Sequence, residues 1–296
     1  MSPTELSAGF DPTAPLTPSG NLRRRQFFSR FTEAGATGAA VLAIAVLAIV
    51  IYTVVSRGAG AISWDFLTTG EPTGIAPALV GTATIVVVAT AISMPLGVLI
   101  AIYMTEFAGP RTTRGMKTVL DLTNGLPSII IGLFVFGLLI KPLEKQMAFA
   151  GSVALAIIQL PLIARGSLEV LRLVPGNLRE ASDALGVSRW RGVVGVILPS
   201  ALGGIVTATI LAVARAAGET APLIFASSVF DATKVSINPF EALPNIPVTI
   251  FFLSEEGNPA GFERAWGASL VLISAILFAS LGARALLARN RERMSR

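Results

Sequence analysis

The sequence predicts an all-α, polytopic membrane protein with six transmembrane helices, and three observations support this fold class. Of the 296 residues, 53% are hydrophobic and only 14% are charged, and the mean hydropathy of +0.71 exceeds that of soluble globular proteins. Six apolar stretches reach the roughly 20 helical residues that a hydrocarbon core of about 30 Å requires. Basic residues flank these stretches, so the net charge of +5 reflects membrane topology and not nucleic-acid binding.

The chain divides into a tail, a membrane domain and a second short tail. Residues 1–33 are interpreted as a cytoplasmic disordered tail and a basic interfacial segment, because Pro, Ser, Thr and Ala dominate before Arg23, Arg24 and Arg25. Residues 34–290 form the membrane domain, and residues 291–296 are a cytoplasmic tail. The predicted spans are 34–56, 77–105, 118–140, 146–168, 196–230 and 265–287, with a short cytoplasmic helix at about 179–191.

The distribution of positive charge predicts the orientation. With the N-terminus inside, most of the 23 basic residues fall in cytoplasmic segments, as positively charged loops generally do. Five fall outside: Arg57, Lys141, Lys145, Lys234 and Arg264. Both termini and the loop around residue 185 are therefore expected to face the cytoplasm, and only Arg215 lies within the membrane.

The residue types that are missing limit the chemistry of the chain. It contains no cysteine and no histidine, which excludes disulfides, Cys/His zinc sites and histidine-dependent triads. It also lacks the G-x-x-x-x-G-K-[ST] loop that cradles nucleotide phosphates. We therefore expect no catalytic site, no metal and no cofactor in this chain, and any ATP would be bound by a partner subunit.

A short amphipathic helix is predicted at Arg179–Arg191, where apolar and charged residues alternate at helical spacing. Gly186 lies inside this pattern and favours a bend. In one interpretation the helix inserts into a groove of a cytoplasmic ATPase, with Leu185 and Trp190 as apolar anchors. In the other it lies at the lipid headgroups. The spacing of the residues alone leaves both interpretations open.

The same segment resembles the EAA loop of ABC-importer permeases, whose pattern is E-A-A, three residues, G, nine residues and I-x-L-P. Serine and valine replace one alanine and the isoleucine of that pattern. The matching positions are Glu180, Ala181, Ser182, Gly186, Val196, Leu198 and Pro199, and Trp190 lies between them. The resemblance implies that this loop couples the membrane domain to a separate ATPase.

Further stretches within residues 79–230 resemble the A-type permeases of phosphate-specific (Pst) transporters. They read LTNGLPSIIIGL at 122–133, LPLIAR at 160–165, RLVPGNLREAS at 172–182 and ARAAGETAPL at 214–223. The resemblance implies the type I, MetI-like permease fold in a bacterial plasma (inner) membrane. The implied partners are a homologous second permease, two ATP-binding subunits, an extracytoplasmic phosphate-binding protein and membrane lipid.

Two other functions remain open from the sequence. A permease of the same class for another oxyanion, molybdate or sulfate, would keep the whole architecture. A secondary carrier without an ATPase would instead use Glu219 as a proton site.

Arg215 and Glu219 are the candidate substrate-pathway residues, together with Thr220. Four residues separate the two charges, which predicts that they share one face of the fifth span. Arg215 would offer an always-charged, fork-shaped donor to a passing oxyanion. A buried ion pair that only fixes helix packing is the alternative. Hydroxyl or amide groups that are candidates to line the same path are those of Asn124, Ser128, Thr207, Thr209, Ser227 and Ser228. The alternative, which is the commoner behaviour, is that the hydroxyls bond to carbonyls of their own helices.

Overall fold

The computed structural model describes residues 22–227 and 233–294. The predicted disordered segment before Leu22 and the candidate Ser228 lie outside the described residues. Residues 22–53 belong to one unit and are helical throughout. The second unit begins at Val54 and holds both candidate sites.

Helices account for all the regular structure in the described ranges, where no strand occurs. Their bounds are α1 Leu22–Gly58, α2 Trp64–Thr68, α3 Ala76–Ile102, α4 Pro110–Gly125, α5 Ser128–Val135, α6 Lys141–Leu143, α7 Ala148–Arg172, α8 Gly176–Ala184, α9 Arg189–Gly192, α10 Leu198–Ala216, α11 Ala221–Ala226, α12 Ile246–Glu255 and α13 Pro259–Met294. Single π-helical turns continue α3, α5 and α9 at Tyr103–Phe107, Phe136–Ile140 and Val193–Ile197.

Five helical segments of the described chain are long and apolar enough to cross a membrane. They are Arg24–Ala61, Ala76–Phe107, Ala148–Arg172, Arg189–Ala216 and Pro259–Ala285. A sixth crossing exists only if the pair α4 and α5, which is bent by 93°, is counted as one broken span.

The third predicted span is the first correction. A single helix at 118–140 was expected, but α4 ends at Gly125 and α5 begins at Ser128 in a different direction. Pro127 explains the break, because proline has no N–H for the helical ladder and disfavours helical geometry in the residue before it. Leu126 is accordingly extended, with φ −69° and ψ 134°.

The fifth predicted span is the second correction. A helix at 196–230 was expected to carry Arg215 and Glu219 on one face, but α10 ends at Ala216 and α11 begins only at Ala221. Pro222 explains the restart, because proline fits the first turn of a helix but not its interior. Arg215 therefore lies in the last turn of α10, whereas Glu219 lies in the irregular segment that follows.

The cytoplasmic helix expected at 179–191 is two helices. α8 ends at Ala184 and α9 begins at Arg189. The predicted bend lies at Gly186, whose φ of +67° is left-handed and favours glycine.

The centre of the second unit is the packing of α3 against α7. Gly97 allows this close approach, because a Cβ there would lie 2.9 Å from Ile163 Cγ2. In the same layer Ser93 donates a 2.8 Å hydrogen bond to Oε1 of the fully buried Gln159. Each of these helices also contains an internal proline. A buried polar contact of this kind joins neighbouring helices where lipid offers no hydrogen bond.

Helices α5 and α11, which follow the two breaks, pack directly on each other. Gly132 of α5 faces Pro222 of α11, and a Cβ on Gly132 would lie only 2.6 Å from Pro222 Cα. The two broken segments are thereby held together, which places the ends of α4 and α10 beside one another.

Gly132→Ala is expected to destabilise this contact by about 1 to 3 kcal/mol, because the added methyl group meets backbone that must move. Gly137→Ala is the matched control on the same span, since no atom lies within 4 Å of its Cβ position. Thermal unfolding of the purified protein measures the difference. Equal unfolding temperatures for the two variants would refute the close α5–α11 packing.

Candidate functional site

A cavity of about 210 Å³ lies where the two helix breaks meet. It combines residues from the α4–α5 break with the end of α10 and one residue of α7. The lining residues are Thr123, Asn124, Leu126, Pro127, Ser128, Ile131, Ile158, Arg215 and Glu219. The ends of α4 and α10, where the two breaks begin, contribute to this lining, so the two breaks and the cavity are parts of one feature.

The charges in this cavity are only loosely paired. Arg215 Nε lies 3.9 Å from Glu219 Oε1, and the side chains are 59% and 18% exposed in the isolated chain. This distance exceeds the 2.7–2.9 Å of a charge-assisted hydrogen bond. Glu219 therefore does not saturate the guanidinium, whose N–H groups can bind an anion.

Of the sequence candidates, Arg215, Glu219, Asn124 and Ser128 are brought together in the cavity, and Thr220 is not. Thr220 precedes α11 as its N-terminal cap residue, and its carbonyl oxygen accepts from the N–H of Leu223.

The other hydroxyl candidates among the described residues hydrogen-bond to backbone groups. Thr207 and Thr209 donate to Gly203 O and Ile205 O of their own helix, at 2.8 and 3.0 Å. This is the usual behaviour of threonine in membrane helices.

Ser227 likewise serves the fold. Its Oγ donates to Leu243 O at 2.9 Å and accepts from Leu243 N at 3.0 Å. The buried Asn245 donates from Nδ2 to Ser227 O at 3.0 Å. These bonds fasten the end of α11 to the segment that leads into α12.

The second candidate site is the loop formed by α8 and α9. Glu180, Ala181, Leu185 and Gly186 are solvent-exposed, and Leu185 is exposed by 82%. Trp190 is 53% exposed, with its ring 6.5 Å from that of Phe107. Two large apolar side chains thus stand on the surface of a charged loop, as expected for a surface that a partner covers.

The remaining loop residues stabilise the turn. Ser182 is buried, and a Cβ on Gly192 would lie 2.6 Å from its Oγ, so α8 and α9 touch at this point. Pro199 lies in the first turn of α10, where a proline is tolerated.

An ion pair that the sequence analysis missed fixes this loop to the end of α3. Glu106 accepts from Arg179 Nη2 at 3.0 Å and from Nε at 3.2 Å, and the two side chains are 9% and 29% exposed. Arg179 also donates to Val174 O and Leu171 O, at 2.8 and 2.9 Å. The sequence does contain a sign of this pair, because Glu106 is the only acidic residue between Glu71 and Asp121.

Comparison with known families gives a consistent match. The family described as "Binding-protein-dependent transport system inner membrane component" matches residues 93–296. The phosphate transport system permease protein PstA 1 of Mycobacterium tuberculosis is 35% identical over 297 residues, covering 96% of each chain. The PstA protein of Xylella fastidiosa is 36% identical over 246 residues, covering 81% of this chain and 85% of the relative.

Solved structures share the fold at low sequence identity. A chain of the MetNI methionine ABC transporter in inward-facing conformations matches with a TM-score of 0.57 and 21% identity, covering 72% of this chain and 94% of that one. A chain of a bacterial alginate ABC transporter matches with a TM-score of 0.64 and 14% identity, covering 91% and 98%. The predicted all-α, MetI-like fold is confirmed.

Proposed function

We propose that this chain carries inorganic phosphate through the inner membrane. The chain belongs to the family of binding-protein-dependent transport system inner membrane components, and within that family to the PstA permeases. It acts as a non-catalytic subunit of an ABC importer, and a separate ATPase supplies the energy. The observation that carries the proposal is the match to PstA proteins over nearly the whole length of the chain.

The cavity between the two helix breaks supports a path for an anion. Arg215 presents an unsaturated guanidinium there, with Asn124 and Ser128 as neutral polar neighbours. Phosphate would accept hydrogen bonds from the guanidinium during passage. Glu219 would compete for the same guanidinium, which prevents the anion from being retained. Because an arginine exposed to lipid is costly, its exposed face is expected to meet the path or the second permease.

The proposed assembly contains this chain, a homologous second permease, two ATP-binding subunits and an extracytoplasmic phosphate-binding protein. ATP is bound by the ATPase subunits, and no cofactor is assigned to this chain. Both termini and the α8–α9 loop face the cytoplasm, as the distribution of basic residues predicts.

Coupling would pass from the ATPase to the membrane domain through the α8–α9 loop. Leu185 and Trp190 would insert into the ATPase surface, where large apolar side chains typically dominate binding. Closure of the ATPase pair would then move the loop. The ion pair between Arg179 and Glu106 would transmit this motion to α3 and so to the bundle.

Trp190→Ala is expected to weaken binding of the ATPase by at least about 2 kcal/mol, or roughly 30-fold, because an anchoring tryptophan is lost. Trp64→Ala is the control, since Trp64 is 78% exposed and lies far along the chain from this loop. Co-purification of the ATPase subunits with the membrane subunits measures the effect. An unchanged yield of ATPase with Trp190→Ala would remove the tryptophan from the docking surface.

The function is tested with the whole complex in proteoliposomes. Uptake of labelled phosphate should require ATP on the ATPase side and the binding protein on the other side, and an uncoupler should have no effect. Uptake of molybdate or sulfate in place of phosphate would overturn the substrate assignment. Uptake that collapses with an uncoupler at constant ATP would overturn the ABC mechanism in favour of a secondary carrier.

A further inference from the structure

Helix α4 presents three different faces. One face, including Leu120, is buried against the protein. A second face is apolar and exposed, with Val119 and Leu122 exposed by 62% and 67%. The third face carries Arg114, Lys117 and Asp121, whereas Arg111, eleven residues before Leu122, lies at the start of the second face. A helix with a protein face, an apolar face and a basic face is suited to lie in the plane of the headgroups, at the edge of a membrane protein.

The geometry of the chain fits that position. α4 is bent by 93° from α5, so α4 cannot run along the membrane normal if α5 does. It also begins immediately after α3 ends, since only Ala108 and Gly109 separate it from the last turn of that span.

A basic pocket of about 410 Å³ opens where α4 meets the ends of α3 and α7. The cations lining it are Arg114, Lys117 and Arg172, and the other lining residues are Met104, Ala108, Pro110 and Thr113. None of these residues is acidic. The only acid of α4, Asp121, forms an ion pair with Arg165. The pocket therefore presents three cations with no carboxylate in its lining.

From these observations we infer that the basic pocket binds the headgroup of an anionic phospholipid of the cytoplasmic leaflet. The phosphate of the lipid would lie among Arg114, Lys117 and Arg172, and its acyl chains would run beside the apolar face of α4. The assignment to the cytoplasmic leaflet depends on the proposed orientation of the chain. The basic pocket and the apolar face of α4 are features of the structure and do not depend on that orientation. A free phosphate ion would satisfy the same cations without using the apolar face of α4, and competition with inorganic phosphate distinguishes the two sources.

Such a lipid would hold α4 in the plane of the membrane. Because α4 ends at the break that lines the 210 Å³ cavity, the lipid would support the geometry of Asn124 from a distance. Binding of the lipid and transport of phosphate can nevertheless be measured separately.

The test uses the complete purified complex in detergent with equimolar phosphatidylglycerol and phosphatidylcholine, and native mass spectrometry counts the retained lipids. Wild type is expected to retain phosphatidylglycerol preferentially. The triple variant Arg114→Gln, Lys117→Gln, Arg172→Gln is expected to reduce that preference by about a hundredfold, since each of the three cations contributes about fivefold near an anionic leaflet. The control Arg111→Gln, Lys141→Gln, Lys145→Gln removes the same charge from exposed positions outside the pocket.

Three results would overturn the inference. The first two are an unchanged lipid preference in the triple variant and an equal loss of preference in the control variant. The third is displacement of phosphatidylglycerol by excess inorganic phosphate, which would identify a site for the free anion. If the triple variant does not assemble, Lys117→Gln alone should reduce the preference about fivefold, and Arg114→Lys with Arg172→Lys should retain it. Phosphate uptake is measured in parallel. Normal uptake by the wild type without a lipid preference would contradict the lipid site alone, whereas absent uptake with a preserved lipid preference would contradict the proposed transport function alone.

Discussion

Arg215→Ala is expected to reduce ATP-dependent phosphate uptake by roughly tenfold to a hundredfold in reconstituted complexes. The substitution removes the charge-assisted hydrogen bonds to the anion, which are worth about 1.5 to 3 kcal/mol. It also leaves Glu219 as an unpaired negative charge in the lining of the cavity. Arg215→Lys should retain part of the activity, because it keeps the charge but loses the fork-shaped donor geometry.

The double variant Arg215→Ala with Glu219→Ala separates the pathway role from a purely structural one. If Arg215 contacts the anion, phosphate uptake by the double variant stays as low as that of Arg215→Ala, while ATPase activity stimulated by the binding protein persists. If the double variant imports phosphate at the wild-type rate, the pair only fixes packing. Its 3.9 Å separation favours the first outcome, since so loose a pair contributes little to stability.

Glu106→Gln is expected to uncouple ATP hydrolysis from transport and to lower the free energy of unfolding by about 1 to 3 kcal/mol. Glu106 is 9% exposed, and breaking a buried ion pair leaves its partner charge uncompensated. The two backbone carbonyls that Arg179 also reaches would keep the arginine in place without its counter-ion. α8 would then lose its ion pair with the end of α3, while the bond from Arg189 Nη1 to Glu106 O and the Trp190–Phe107 contact would remain, so less of the loop's motion would reach the membrane domain.

Phosphate uptake and ATPase activity, measured on the same proteoliposomes, provide the readout for Glu106→Gln. A fall in phosphate imported per ATP hydrolysed is the expected result. Glu169→Gln is the matched control, because Glu169 is an exposed carboxylate of α7. Normal coupling in Glu106→Gln would mean that the loop transmits its motion through other contacts.

Much of the fold could be predicted from composition and hydropathy, because the bilayer imposes long apolar helices whatever the tertiary structure. The breaks were harder to predict. Pro127 and Pro222 were visible in the sequence, but proline is common in membrane helices. Whether a proline only kinks a helix or ends it depends on the packing around it. Here Gly132 and Pro222 meet across the two broken segments, a contact between residues 90 positions apart that no local pattern indicates.

The candidate site could be predicted only in part, because single residues stand out in a sequence whereas contacts between distant residues do not. Arg215 and Glu219 stood out because charged residues are rare in apolar spans, and Asn124 and Ser128 because they flank a proline. Glu106 was overlooked, since its partner Arg179 lies 73 residues away and nothing local links the two. For Thr207 and Thr209 the sequence left open whether the hydroxyls line a path or bond to their own helix, and the structure shows the bonds to the helix.

The most direct test of a phosphate path through the cavity uses the absence of cysteine from this chain. In proteoliposomes with cysteine-free partner subunits, Asn124→Cys should react with a small thiol reagent. Phosphate, supplied with the binding protein and ATP, should slow that reaction severalfold. Thr112→Cys is the control, because Thr112 is exposed on the same helix, and it should react at the same rate with and without phosphate. If Asn124→Cys still imports phosphate but its reaction rate is the same with and without the anion, phosphate does not pass through this cavity.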